Sequence, residues 1–164
     1  MIILGIDPGL ATLGWGVIEA EGGNQKLIQY GAVITQAGQP MPMRLRAVYQ
    51  GVNQLMEIYR PEDVAFEELF FSKNITTGMA VSAARGVALA AVAAHTENIY
   101  EYTPMQIKQA VTGYGGADKH QVQQMVKLLL RLDGIPKPDD AADAVAAALT
   151  HASSLHAKEI FRIK

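Results

Sequence analysis

No cysteine occurs among the 164 residues, which excludes a disulfide framework, a thiolate zinc site and a cysteine nucleophile together. Any metal must therefore sit on oxygen or histidine ligands. Long apolar runs are missing too: nothing approaches the ~18 consecutive apolar residues of a membrane span. The opening Met1-Ile2-Ile3-Leu4-Gly5-Ile6-Asp7 has no basic leader, and its apolar run is too short for a secretory signal. A soluble, cytoplasmic chain with no membrane association is the expectation. Positive charge is not in excess either. With 14 Lys plus Arg against 16 Asp plus Glu, the net charge of −2 does not draw nucleic acid by bulk attraction. That objection weakens where acids gather around bound cations, which leaves the surrounding basic side chains dominant. Repeats, low-complexity tracts and linkers are also lacking, and the length suits a single domain over residues 1–164.

What is present is a regular alternation of short β-branched runs and helix-spaced apolar positions. Ile2 to Ile6 is an apolar run stopped by Asp7-Pro8-Gly9, hence a buried strand ending in a turn. Strands follow from about Leu13 to Glu19 and from Lys26 to Thr35, with Gly22-Gly23-Asn24 as the hairpin between them. After Gln39-Pro40-Met41-Pro42, apolar residues from Leu45 to Tyr59 recur at helical spacing. Val64 to Glu67 is a fourth strand, parallel to the first because a helix connects them. Thr76 to His95 is rich in Ala, Gly and Val all round, the pattern of a helix buried on more than one side. A fifth strand, Ile99 to Tyr102, precedes helices over Met105 to Val111, Ala117 to Leu132 and about Asp140 to Leu155. The order βββαβαβααα predicts an α/β fold with a mixed five-stranded sheet flanked by helices.

Acids fall at the ends of these elements. Asp7 closes strand one and Glu67, with Glu68, closes strand four, so parallel neighbouring strands bring the carboxylates out side by side. Asp140 and Asp143 are three residues apart and share one face of the first turn of the last helix. Each has an ordinary role when taken alone, in a turn, at a solvated strand end or near a helix dipole. Jointly they are four hard oxygen ligands suited to Mg2+ or Mn2+. Asp139 follows Pro138 where the last helix begins, the position of an N-cap.

Ile3-Leu4-Gly5-Ile6-Asp7-Pro8-Gly9 with Gly14 and Gly16, Phe66-Glu67-Glu68-Leu69-Phe70, Ser72-Lys73-Asn74, Ala84-Arg85-Gly86-Val87, Gln106-Ile107-Lys108-Gln109 and Asp140-Ala141-Ala142-Asp143-Ala144 with Thr150-His151 run in order along the chain. The series closely resembles the RuvC family of Holliday-junction resolvases over about residues 2 to 152. Glu68, where a neutral polar residue is expected, and the added acid Asp139 depart from the family pattern.

The resemblance implies a ribonuclease-H-like fold and a homodimeric endonuclease that resolves four-way DNA junctions in recombination and repair, with branch-migration proteins as further partners. It makes Asp7, Glu67, Asp140 and Asp143 the catalytic acids and metal ligands, with Lys119 and Lys108 the basic residues beside them. Mg2+, or Mn2+, is the implied cofactor, two per site for in-line phosphodiester hydrolysis. Phe70 corresponds to an aromatic that meets bases near the junction, and Lys73 and Arg85 are candidates for phosphate contact. Ala80, Ala84, Ala88 and Ala91 offer close approach for a dimer partner, or simply for the helix's own sheet. Three rivals share parts of this pattern. An actin-like or sugar-kinase ATPase normally needs two such domains, whereas a junction-binding module without catalysis and a ribonuclease H acting on RNA–DNA hybrids need only one.

Overall fold

Physical patterning resolves into β1 (Ile2–Asp7), β2 (Thr12–Glu21), β3 (Asn24–Ile34), α1 (Met41–Tyr59), β4 (Asp63–Glu67), α2 (Ile75–Ala93), β5 (Ile99–Tyr102), α3 (Pro104–Thr112), α4 (Lys119–Leu129) and α5 (Asp139–Ser153). The computed structural model describes residues 1–69 and 75–164, without side-chain detail at 75–77. The expectations placed on Phe70 and Lys73 lie outside the described residues. The sheet runs β3-β2-β1-β4-β5. β1, β2 and β3 form an antiparallel meander, and β4 and β5 extend it in parallel with β1. Among the described residues no helix is long and apolar enough to cross a membrane.

Strand alternation divides the core into two layers. Leu4, Ile6, Leu13, Val17, Val64 and Phe66 point to one face, where Val48 and Val52 of α1 and Ala88, Ala91 and Val92 of α2 cover them. Ile3, Ile18, Ala65, Tyr100 and Tyr102 point to the other, under α3, α4 and α5. The period that puts Ile3 on the α5 face also puts Gly5 and Asp7 there, and with Ala65 comes Glu67.

Glycine decides how closely α5 lies on the sheet. Gly5 pairs with Gly16, and Gly14 with Asp7, across β1 and β2. A Cβ on Gly5 would stand 1.9 Å from the Ala144 carbonyl oxygen, and one on Gly14 would stand 2.0 Å from that of Asp140. Backbone therefore rests on backbone, and the alanines of α5, which favour a helix and carry almost no bulk, complete the contact. Gly14→Ala must lift the N-terminal turn of α5. We expect a loss of about 3 kcal/mol, the upper range for overpacking, read by denaturant unfolding, with cutting lost alongside.

Most boundaries shift by one to three residues from the sequence reading, and two of the shifts bear on the fold. The helix expected from Ala117 begins at Lys119, because the Asp118 carboxylate accepts from the Gln121 amide in a capping box. α5 stops at Ser153 and a 3₁₀ segment, Leu155–Phe161, follows. Arg162 then bridges to Tyr100 and the Ile163 amide donates to the Ile99 carbonyl, so the chain end covers the edge strand β5.

Candidate active site

Parallel pairing of β1 with β4, with Ile6 opposite Phe66, carries Asp7 and Glu67 to the same sheet edge. The close seat of α5 on Gly14 brings Asp140 and Asp143 over them. Their electrostatics show the crowding. Burial first, then the Glu67, Asp143 and Asp140 carboxylates, push Asp7 up to about 8. Burial and Asp143 raise Glu67 to about 7 against the pull of Lys119 and Lys108. Asp143 is raised as well, chiefly by burial.

Two basic side chains complete the site. The Thr103 capping box starts α3 and so fixes the helix that carries Lys108. Lys119 occupies the first turn of α4, where a cation opposes the helix dipole. Its Nζ stands 2.8 Å from Asp143 Oδ2. Partial burial works against its charge, but the bond and charge of Asp143 outweigh that and hold Lys119 above the usual lysine range. Glu67, Lys108, Lys119 and Asp143 line one cavity of about 160 Å³, walled by Pro104, Ile107, Val122 and Ala146.

The donor set is all hard oxygen, and acids raised by burial and then by their mutual repulsion are a set that a cation relieves. In kind the residues fit a divalent metal. In spacing they stop short, since among the described residues no three Asp, Glu or His side chains stand at ligating separation.

The remaining sequence expectations sort by face. Glu68 follows Glu67 and so emerges on the opposite side, where it lines a separate pocket of about 290 Å³ with Leu69, Ser82, Arg85 and Glu101. Arg85 is bound there in an ion pair with Glu101. Asp139 is not the cap that its position predicts. No side chain caps α5, and the Asp139 carboxylate instead accepts from Lys137 Nζ at 2.8 Å, which lowers its pKa. Asp140, by contrast, is among the charges that raise Asp7. Asp139→Ala is therefore expected to leave both melting temperature and single-turnover cutting close to those of the unaltered chain, and Asp140→Asn to remove cutting. An inactive Asp139→Ala beside an active Asp140→Asn would reverse the assignment.

Ala84, Ala88 and Ala91 are fully buried within the chain, so the sheet-packing alternative for α2 holds at these positions. The helix's outward stripe is Met79, Ser82, Gly86 and Ala90. Sequence reasoning missed Asp63, which meets His151 in the interior, and Lys158, which reaches the same Asp63 carboxylate from a partly exposed position. Only the strand period, applied backward from Glu67 to Asp63, could have pointed to that face.

A mixed sheet with acids gathered at the ends of its central strands and under a flanking helix defines a nuclease of the ribonuclease-H-like class. The sequence model described as crossover junction endodeoxyribonuclease RuvC matches residues 3–151. The chain belongs to the RuvC family. A relative of that description from Alkaliphilus metalliredigens is 55% identical over the full length of both chains. Another from Brevibacillus brevis is 54% identical, covering 93% of this chain and 92% of its own. The solved structure of Thermus thermophilus RuvC superposes with a TM-score of 0.88 at 38% identity, over 95% of this chain and 96% of that one. The yeast mitochondrial Holliday junction resolvase Ydc2, with a TM-score of 0.65 at 16% identity over 96% of this chain and 83% of its own, shares the fold.

Proposed function

We propose that residues 1–164 act as one nuclease domain that, as a homodimer with two divalent cations per site, resolves four-way DNA junctions by paired phosphodiester hydrolysis. The observation that carries this reading is the convergence of Asp7, Glu67, Asp140 and Asp143 beneath Lys119 and Lys108 at one sheet edge. Thermus thermophilus RuvC, with a TM-score of 0.87 and 36% identity, is known in complex with a Holliday junction substrate.

Bound Mg2+ or Mn2+ would supply an activated water and offset charge on the attacking and leaving oxygens. Asp7, central and most crowded, would be the ligand shared between the ions. Glu67 and Asp140 would hold one ion or the other, and Asp143 would position an ion or its water. Lys119 offsets part of the burial that raises Asp143 and would stabilise charge on the phosphate, while Lys108 would hold a neighbouring phosphate. Two divalent cations would take the formal charge from −2 to −2 + 4 = +2, which removes the objection from bulk charge.

A junction of near two-fold symmetry calls for two matched sites, and a C2 dimer supplies them. The outward stripe of α2 is the proposed interface. Gly86 is exposed with open space around it, so Gly86→Arg is the probe that spares the interior, which Ala84→Arg does not. Branch-migration proteins are the further partners that this reading adds. Substrate competition tests it: a synthetic four-way junction should outcompete both linear duplex and RNA–DNA hybrid for cutting. Preference for the hybrid would favour a ribonuclease H, and binding without cutting would favour a junction-binding module.

A further inference from the structure

Glycine fixes how high α5 sits above the sheet, but it leaves open how far along the strands the helix lies. The contact face of α5 is made of Ala141, Ala144, Val145 and Ala148 over Gly5, Gly14 and Gly16, so Val145 against Gly16 is the one branched side chain seated in a patch otherwise formed by small residues. Yet the acids need a defined register, because metal ligands tolerate errors of only about 0.2 Å.

We propose that His151 is a positioning residue for the acid cluster, which with Asp63 and Tyr102 locks the far end of α5 to β4 and β5 and so sets where Asp140 and Asp143 meet Asp7 and Glu67. This inference rests on the metal-site reading above. His151 and Asp140 are eleven residues apart, about three helical turns, and so share one face of α5. Asp63 and Glu67 share one face of β4 by strand alternation. From Asp140 to His151 the helix rises about 17 Å, and from Asp143 about 12 Å, at about 1.5 Å per residue. From Asp63 to Glu67 the strand rises about 13 Å, at about 3.3 Å per residue. Two rails of comparable length, running in opposite senses, carry the acids at one end and a polar lock at the other.

The lock is directional and dry. His151 is 0% exposed, and Asp63 and Tyr102 are each 1% exposed. Imidazole Nε2 lies 2.8 Å from Asp63 Oδ2, and Nδ1 lies 2.8 Å from the Tyr102 hydroxyl. Burial lowers the His151 pKa, so the ring is neutral at pH 7. The phenol then donates to Nδ1 and Nε2–H donates to the carboxylate. Lys158 Nζ, 2.7 Å from the same Asp63 oxygen, balances its charge. Asp63 Oδ1 has no partner among the described residues, a cost that burial of nonpolar groups would avoid. Buried polar contacts of this kind are best attested as devices that specify register.

The test separates register from stability by direct Mn2+ binding, measured by calorimetry without DNA, alongside melting temperature and junction binding in Ca2+. His151→Leu is expected to weaken Mn2+ binding by about tenfold, the scale of a lost supporting contact around a metal ligand. His151→Gln, which can still donate to Asp63, should recover most of it. Val52→Ala, in the opposite core layer, serves as the stability control and should keep full Mn2+ affinity at a comparable loss of melting temperature. Should His151→Leu not fold, Tyr102→Phe takes its place with the same direction of change. Unchanged Mn2+ affinity in His151→Leu or its substitute, or an equal loss in Val52→Ala, would overturn the proposal. If the unaltered chain shows no Mn2+ binding that Asp7→Asn removes, the acid-cluster reading itself fails, and this inference with it.

Discussion

Asp7→Asn is expected to lower single-turnover cutting by more than about a hundredfold while leaving junction binding as tight as before, or tighter. Changes to groups that merely support a metal ligand already cost about 10 to 100-fold, and Asp7 is proposed as the ligand that bridges both ions. An amide keeps local hydrogen bonds but is a poorer donor to a hard cation. Binding moves the other way because one negative charge leaves a site that must receive phosphates. Gel shift in Ca2+ and quenched cutting in Mg2+ give the two readings from one preparation. A matched loss of both would mean that Asp7 serves the fold.

In chelator, the chain is expected to lose stability as pH rises from 7 to 8.5. Asp7 is raised from an ordinary 3.8 to about 8, and Glu67 from 4.5 to about 7. Between the unfolded and folded values, the native chain holds protons that the unfolded chain has released. The stabilising contribution is therefore full below about pH 4 and lost as pH climbs through the folded values. His151, lowered by burial, acts in the opposite sense near its ordinary value of 6.5, so the window above pH 7 isolates the acids. About one proton over that interval corresponds to roughly 1 to 2 kcal/mol. Mn2+ takes over the role of those protons, so its stabilising effect should be larger at pH 8.5 than at pH 7. Asp7→Asn should flatten the chelator profile and melt higher than the unaltered chain at pH 8.5. Stability that is flat or rising between pH 7 and 8.5 in chelator would contradict the crowding of these acids.

Much of this site was legible before the fold. Ile2 to Ile6 ends at a turn, and Val64 to Glu67 follows a crossover helix, so Asp7 and Glu67 had to emerge together. The Asp140 and Asp143 spacing needed only helix geometry. What the pattern could not supply was the third dimension. Gly5, Gly14 and Gly16 read as family markers, yet Gly5 and Gly14 admit the α5 backbone and Gly16 the Val145 side chain. An all-round apolar α2 declares burial without naming its neighbours, and Ala84, Ala88 and Ala91 prove to be buried in the chain's own interior. Asp139 stood in a capping position, but two residues upstream Lys137 competes for its carboxylate. Asp63 and His151 are 88 residues apart, and nothing local in either segment foretells the bond between them.

The most direct measurement is cutting of a synthetic four-way junction carrying a separate label on each strand, followed at single turnover with Mg2+ and with excess chelator. Paired nicks at symmetric positions in two opposite strands, present in Mg2+ and absent in chelator, are the expected result. Persistent cutting in chelator, or nicks spread over all strands and matched on linear duplex, would contradict it.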